Sequence, residues 1–291
     1  MGNLYDFDPA VHAAEPADHS IDRWMRMQLH VLIRDVRDAF DAYEFHKATR
    51  LLHEFCNVQA SAVYFSALKD RLYCEEPDAT RRRASQTVLY ETLMALVKLL
   101  APILPHTCEE VWAQIPNRPA SEPASVHLAL LPECDEEILR LATDLTPVNT
   151  DAATFTADQL QAGPAWVWAQ LMTWRDQGLV KLEALRNSGV KNPLESEAIF
   201  RVAATNTSLR DLLTTYVQEL EDMLGVGYAR VEPVDPAALA AGVDLEIDVA
   251  DTREKYPRCA RSWKRRPDVG QDPNFPDLSI RDAVVMRQKS Q

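Results

Sequence analysis

Met25, Leu29, Leu32, Val36, Phe40 and Tyr43 recur at steps of three and four residues, and nothing else in this chain restricts its fold as much. That spacing puts six apolar side chains on one face of a helix beginning near Ile21. The pattern returns in Ala48, Leu51, Phe55, Val58, Ala62 and Phe65, which predict a second helix. Pro77 follows, within Glu75-Glu76-Pro77-Asp78, and has no place in a helix interior. Arg81-Arg82-Arg83 then opens a third helix with Leu89, Leu93, Leu96 and Leu100 in line, ended by Pro102 and Pro105. Thr107 and Glu110 have capping-box spacing and predict a fourth through Val111, Trp112 and Ile115. Each stripe must be buried against another, so the four together predict a bundle.

The periodicity fades after Pro116 and resumes near Ala165. A long helix is expected over 165–187, carrying Val167, Leu171, Trp174, Leu182 and Leu185 and stopped by Gly189. Ile199–Ala203 reads as a strand, 208–224 as a helix, and 227–231 and 244–249 as further strands. The expected architecture is therefore mainly α. An arm at 1–20 precedes a helical bundle at 21–118, then a linker or connection at 119–163. A small α+β domain follows at 164–250, with a short ribbon-like tail at 251–291.

Charge divides the chain unevenly. The formal charge is −13, which by itself argues against nucleic acid. Residues 251–291 nevertheless hold ten Lys/Arg against six Asp/Glu, a net of +4, which leaves −17 on residues 1–250. Within that tail Trp263 stands among Arg258, Arg261, Lys264, Arg265 and Arg266. Cations around an aromatic face suit phosphates and unstacked bases, although a basic tail is more often a solvated surface. Five scattered cysteines read as reduced thiols of a cytosolic protein. The acidic N-terminus has no apolar core like a signal peptide's, and Lys98 and Pro102 interrupt the longest greasy run, so no membrane partner is expected.

Self-contained catalytic chemistry is missing from the sequence. It holds no phosphate-binding glycine loop, no G-x-S-x-G elbow and no H-E-x-x-H pair. His46 and His53 lie two helical turns apart, with no third ligand beside them at a helix-compatible position.

LKDRLYCEEPDATRRRASQTVLYETLMALVKLLAPILPHTCEEVW, from Leu68 to Trp112, closely resembles the anticodon-binding helical domain of isoleucyl-tRNA synthetases, which are class I aminoacyl-tRNA synthetases. Asn3–Pro9 looks like the segment that opens this domain after the family's catalytic core. Leu182–Val202 is similar, more loosely, to its junction region. In bacterial members the chain ends in a zinc ribbon. It is built as Cys-x-x-Cys-Trp, a spacer with an Asp-Val-Gly turn, then Cys-x-x-Cys before Ala-Val. Cys259, Trp263, Asp268-Val269-Gly270, Arg281 and Ala283-Val284 hold matching positions here.

The other three ligand positions are Ser262, Ser279 and Asp282. Structural Zn²⁺ wants four soft or borderline ligands, and serine hydroxyls replace thiolates poorly, so zinc and other cofactors are expected to be absent. Such a metal contributes on the order of 10 kcal/mol to the folding of small domains, and its loss needs an offset. One expectation is an apolar cluster of Trp263, Val269, Phe275 and Leu278, with Arg281 paired to Asp277 or Asp268. The other is a tail partly disordered until it meets its partner.

The resemblance implies binding of the isoleucine tRNA at its anticodon stem-loop. Candidate phosphate contacts are Lys69, Arg71, Arg81, Arg82 and Arg83 on the bundle and Arg258, Arg261, Lys264 and Arg265 on the tail. Trp263 either stacks on an anticodon base or packs as core, and Arg71 either meets phosphate or pairs with Asp70 or a neighbouring helix. The family's two ATP-site signatures, His-x-Gly-His and Lys-Met-Ser-Lys-Ser, are absent. Aminoacylation would then need a catalytic body, in cis or in trans, which alone uses ATP. A free-standing RNA-binding or regulatory module and a helical protein-interaction scaffold are the alternatives.

Overall fold

The computed structural model describes residues 2–143 and 163–289, so positions 144–162 of the expected connection lie outside the described residues. The architecture is mainly helical with one three-stranded sheet. The chain divides into two compact units, one made of residues up to Leu72 with Glu76–Thr143, the other of Tyr73–Glu75 with the remainder.

In the first unit, α1 (Pro9–His12) precedes α2 (Ile21–Asp41), which is capped by Ser20, whose Oγ accepts from Arg23 N at 3.3 Å. Met25, Leu29, Leu32 and Val36 are buried as their spacing predicts. Tyr43 lies beyond the helix end and is 80% exposed. The second helix departs from its predicted stripe. α3 (Phe45–Glu54) passes into a wider helical turn over Phe55–Phe65 before α4 (Ser66–Cys74) resumes. Bonding five residues back instead of four rotates the buried face. Leu52, Phe55, Ala60, Val63, Tyr64 and Leu68 are therefore buried, while Val58 and Phe65 stay exposed.

α5 (Thr80–Leu100) shows no single stripe, for it is buried nearly all round, from Arg82 through Val88 to Leu99. Such burial marks the central helix of a bundle. α6 (Pro105–Gln114) begins with Pro105 rather than at a Thr107 cap, since proline's fixed φ and missing N–H suit a first helical position. α7 (Glu136–Thr143) packs on α2.

The expected arm is part of this unit. Leu4 and Phe7 are buried with Tyr90, Val97, Trp112 and Val126, so parts of both 1–20 and 119–163 complete the bundle core. Asp6 fixes the arm, accepting from Arg82 Nη1 at 2.8 Å and Gln86 Nε2 at 2.8 Å. Burial alone would raise the Asp6 pKa, but these donors and the Arg82 and Arg83 charges outweigh it and hold the carboxyl below its ordinary value. A lowered folded pKa gives a contribution that is full above the unfolded value and is lost as pH falls through the folded one. Asp6→Asn is expected to cost about 1 kcal/mol near neutrality. In urea titrations the gap to the parent chain should close as pH falls; a constant gap would contradict this role.

In the second unit, α8 (Pro164–Asn187) is followed by β1 (Ser196–Ala203), α9 (Thr207–Leu224), β2 (Tyr228–Val234) and β3 (Leu245–Asp251). The strand order is β2-β1-β3, with β1 parallel to β2 and antiparallel to β3. The central β1 is buried on both faces, as its run of Ala198, Ile199, Phe200 and Val202 requires. α8 packs along β3 and α9 along β2. Gly225 ends α9 in a left-handed conformation (φ 67°) that glycine adopts without steric cost.

Candidate nucleic-acid interface

The structure divides the sequence-predicted cations into two groups. On the bundle, Arg71 is fully buried, and its Nη1 lies 2.6 Å from Asp22 Oδ2 on α2 and 3.0 Å from Ser85 Oγ. Arg82 donates to the Leu72 and Pro77 carbonyls as well as to Asp6. Arg83 holds the Asp6 carbonyl at 2.7 Å and Asp78 Oδ1 at 2.7 Å. The expected phosphate role of Arg71, Arg82 and Arg83 is thus corrected: internal acceptors occupy them, and a buried guanidinium is held by such partners rather than left for solvent. Arg81 is half-buried, and Lys69 is exposed on α4.

The tail sorts in the same way. Lys264 is buried with Nζ 2.9 Å from Glu221 Oε1, near the acidic C-terminal end of α9. Arg266, over the Tyr228 ring, meets the same Glu221 oxygen at 2.5 Å. Arg265 donates to the Arg253 and Tyr256 carbonyls, and its own N–H to the Leu194 carbonyl at 3.1 Å. Gly227 lets this stretch close in, for a Cβ there would collide with the Leu194 carbonyl and sit 3.0 Å from Arg265 N. Lys255 and Tyr256 converge on the buried Glu197 of β1. Lys264 and Arg265 therefore dock the tail on the α+β core, which corrects their expected phosphate role. Residues 255–266 are held to that core by these contacts.

Among the tail candidates, Arg258 and Trp263 are exposed. Trp263 is 56% exposed, with the Arg258 guanidinium 5.2 Å from its ring centroid. The expected apolar cluster forms without it: Val269 and Leu278 pack with Cys259, Ala283, Phe275 and Met286. Trp263 also has φ 64°, in the left-handed region that bulky residues avoid at a cost of about 1–2 kcal/mol. The turn imposes this conformation, for Trp263 N donates to the Cys259 carbonyl and Cys259 N to that of Lys264. The strained backbone costs free energy, and a side chain 56% exposed regains little of it by packing.

The four former ligand positions are brought together. Asp282 Oδ2 accepts from Cys259 Sγ at 3.0 Å and from Ser279 Oγ at 2.9 Å. Its Oδ1 meets Arg261 Nη1 at 2.8 Å and Arg281 Nη2 at 3.3 Å. Arg261 is thereby drawn inward to a carboxylate, against its expected phosphate role, and Arg281 meets Asp282 beside it in the chain. Ser262 is buried alongside, its Oγ outside hydrogen-bond geometry. Burial would raise the Asp282 pKa, yet the Arg281 charge and the Cys259, Ser262 and Ser279 side chains around it hold it below the ordinary value. Zinc does not fit this donor set: one thiol, two hydroxyls and one carboxylate already engaged by two guanidiniums. Among the described residues no group of three His, Cys, Asp or Glu side chains is arranged to hold a metal, His46 and His53 included.

Sequence reading missed an exposed aromatic corner on the first unit. Tyr43, also left-handed (φ 61°), and Phe45 stand 6.0 Å apart edge-on, with His46 and Arg50 exposed nearby in sequence. No spacing signal marks it, because Tyr43 reads as the last member of the α2 stripe.

Residues 22–188 match the family model described as the anticodon-binding domain of tRNA ligase. Over 99% of its length the chain is 36% identical to the isoleucine–tRNA ligase of Geobacillus thermodenitrificans, 32% to that of Brachyspira hyodysenteriae and 31% to that of Bacillus subtilis. The chain spans only 28–29% of those relatives.

Proposed function

The chain belongs to the anticodon-binding domain family of tRNA ligases, and from that premise we propose that it is the tRNA-reading part of an isoleucine–tRNA ligase. It grips the anticodon stem-loop, while a catalytic body, in cis or in trans, attaches isoleucine at the expense of ATP. The observation that carries this reading beyond family membership is Trp263, a strained and exposed indole with the Arg258 cation beside it. An unstacked base on such a ring contributes roughly 1–3 kcal/mol, which offsets the cost of presenting it. Lys69 and Arg258, the exposed cations among the candidates, are the proposed phosphate contacts. Among the described residues no helix is long and apolar enough to cross a membrane.

Binding of the purified chain to three transcripts at two salt concentrations tests this: the isoleucine tRNA, the same tRNA with a swapped anticodon, and an unrelated tRNA. We expect preference for the isoleucine anticodon and affinity that weakens with salt. No binding to any of the three at low salt would refute the reading.

A further inference from the structure

We propose that a metal-free knot centred on the Asp282 carboxylate ties the two turns of the C-terminal tail together, in the place where the ribbons it resembles use zinc. Asp282 is fully buried, and four donors from two stretches of the tail close on its two oxygens. Cys259 and Arg261 come from the first turn, Ser279 and Arg281 from the second, so the carboxylate bridges what a metal would bridge. The thiol serves twice, donating to Asp282 and accepting from Ser279 N at 3.4 Å. The cluster of Val269, Leu278, Ala283 and Cys259 excludes water at its side.

The substituted residues also do local work that cysteines could not. Ser279 stands immediately before α10 (Ile280–Lys289), and its Oγ accepts from Asp282 N at 3.3 Å, the cap-to-third-residue bond of a helix start. The serine and the aspartate therefore cap a helix and supply the knot at once. Charge closes the substitution: a buried carboxylate is tolerated when paired and hydrogen-bonded, and Arg261 and Arg281 provide both. With one carboxylate as the only anion, the two cations leave no net negative charge to attract a divalent ion, whereas four thiolates would.

Three measurements on the whole chain decide it. Metal analysis of the purified protein should find no stoichiometric zinc, and a chelator should leave the urea midpoint unchanged. Hydrogen exchange of residues 259–285 should quicken at least tenfold in Asp282→Asn, a change that keeps the side-chain shape, while β1 and α9 amides keep their protection. The triple change Ser262→Cys, Ser279→Cys and Asp282→Cys should bind one zinc ion in a titration with the metal alone. Stoichiometric zinc in the parent with a midpoint lowered by chelator would overturn the knot. So would Asp282→Asn exchange within twofold of the parent, or a triple variant that takes up no zinc, since the four positions would then not share one site.

Discussion

Arg71→Met is expected to destabilise the helical bundle by about 3–5 kcal/mol, because it strands the Asp22 carboxylate where water cannot reach it. The pair is 2.6 Å apart with neither side chain more than 1% exposed. Tyr64 adds to the demand. Its hydroxyl donates to Asp22 at 2.6 Å, and burial together with the Asp22 charge raises its pKa well above the ordinary phenol value, so it remains a donor. One neutral donor cannot replace a guanidinium beside a fully buried carboxylate. Removing both charges should undo most of the damage, since Asn at position 22 still accepts from Tyr64 and Met fills the Arg71 volume. The double variant Asp22→Asn with Arg71→Met is therefore expected to lie within about 1–2 kcal/mol of the parent. Hydrogen exchange of α2 and α5 amides through a urea series reads the first unit by itself. A single variant losing under about 1 kcal/mol would show that the pair is not the anchor we take it for.

Trp263→Gly is expected to separate stability from binding. Glycine adopts φ 64° without the steric penalty that tryptophan bears, and little packing is lost from a side chain 56% exposed. The variant should therefore fold as well as the parent or gain up to about 1 kcal/mol. Its affinity for the isoleucine tRNA should fall by roughly 1–3 kcal/mol, on the order of 5–150-fold, if a base stacks on the indole. Urea unfolding and tRNA binding measured on the same preparation give both numbers. A stability loss with unchanged affinity would make Trp263 a packing residue and remove the observation on which the proposed function most depends.

Much of the helical order was legible because it follows from spacing. Met25, Leu29, Leu32 and Val36 face inward as a 3.6-residue period demands, and β1 is buried along its apolar run. The wide turn at Phe55–Phe65 was not legible, since the bonding that rotates the face depends on what α3 and α2 pack against. The cations of the candidate site were misread for a related reason. Arg71 and Lys69 are two residues apart and chemically alike, yet one is buried against Asp22 and the other is exposed. A sequence gives the charge of a side chain; its partner, 49 residues away for Arg71 and 76 for Arg82, exists only once the chain has folded.

The tail shows the same division in small. From sequence alone came the family resemblance, the paired turns and the absence of a tetrathiolate set. Tertiary structure decided that Lys264, Arg265 and Arg266 dock the tail, that Trp263 faces outward, and that Asp282 collects four donors. Periodicity and ligand chemistry are local properties, written residue by residue. Desolvation and pairing are properties of the fold, because burial sets how much a charge costs and geometry sets whether a partner repays it.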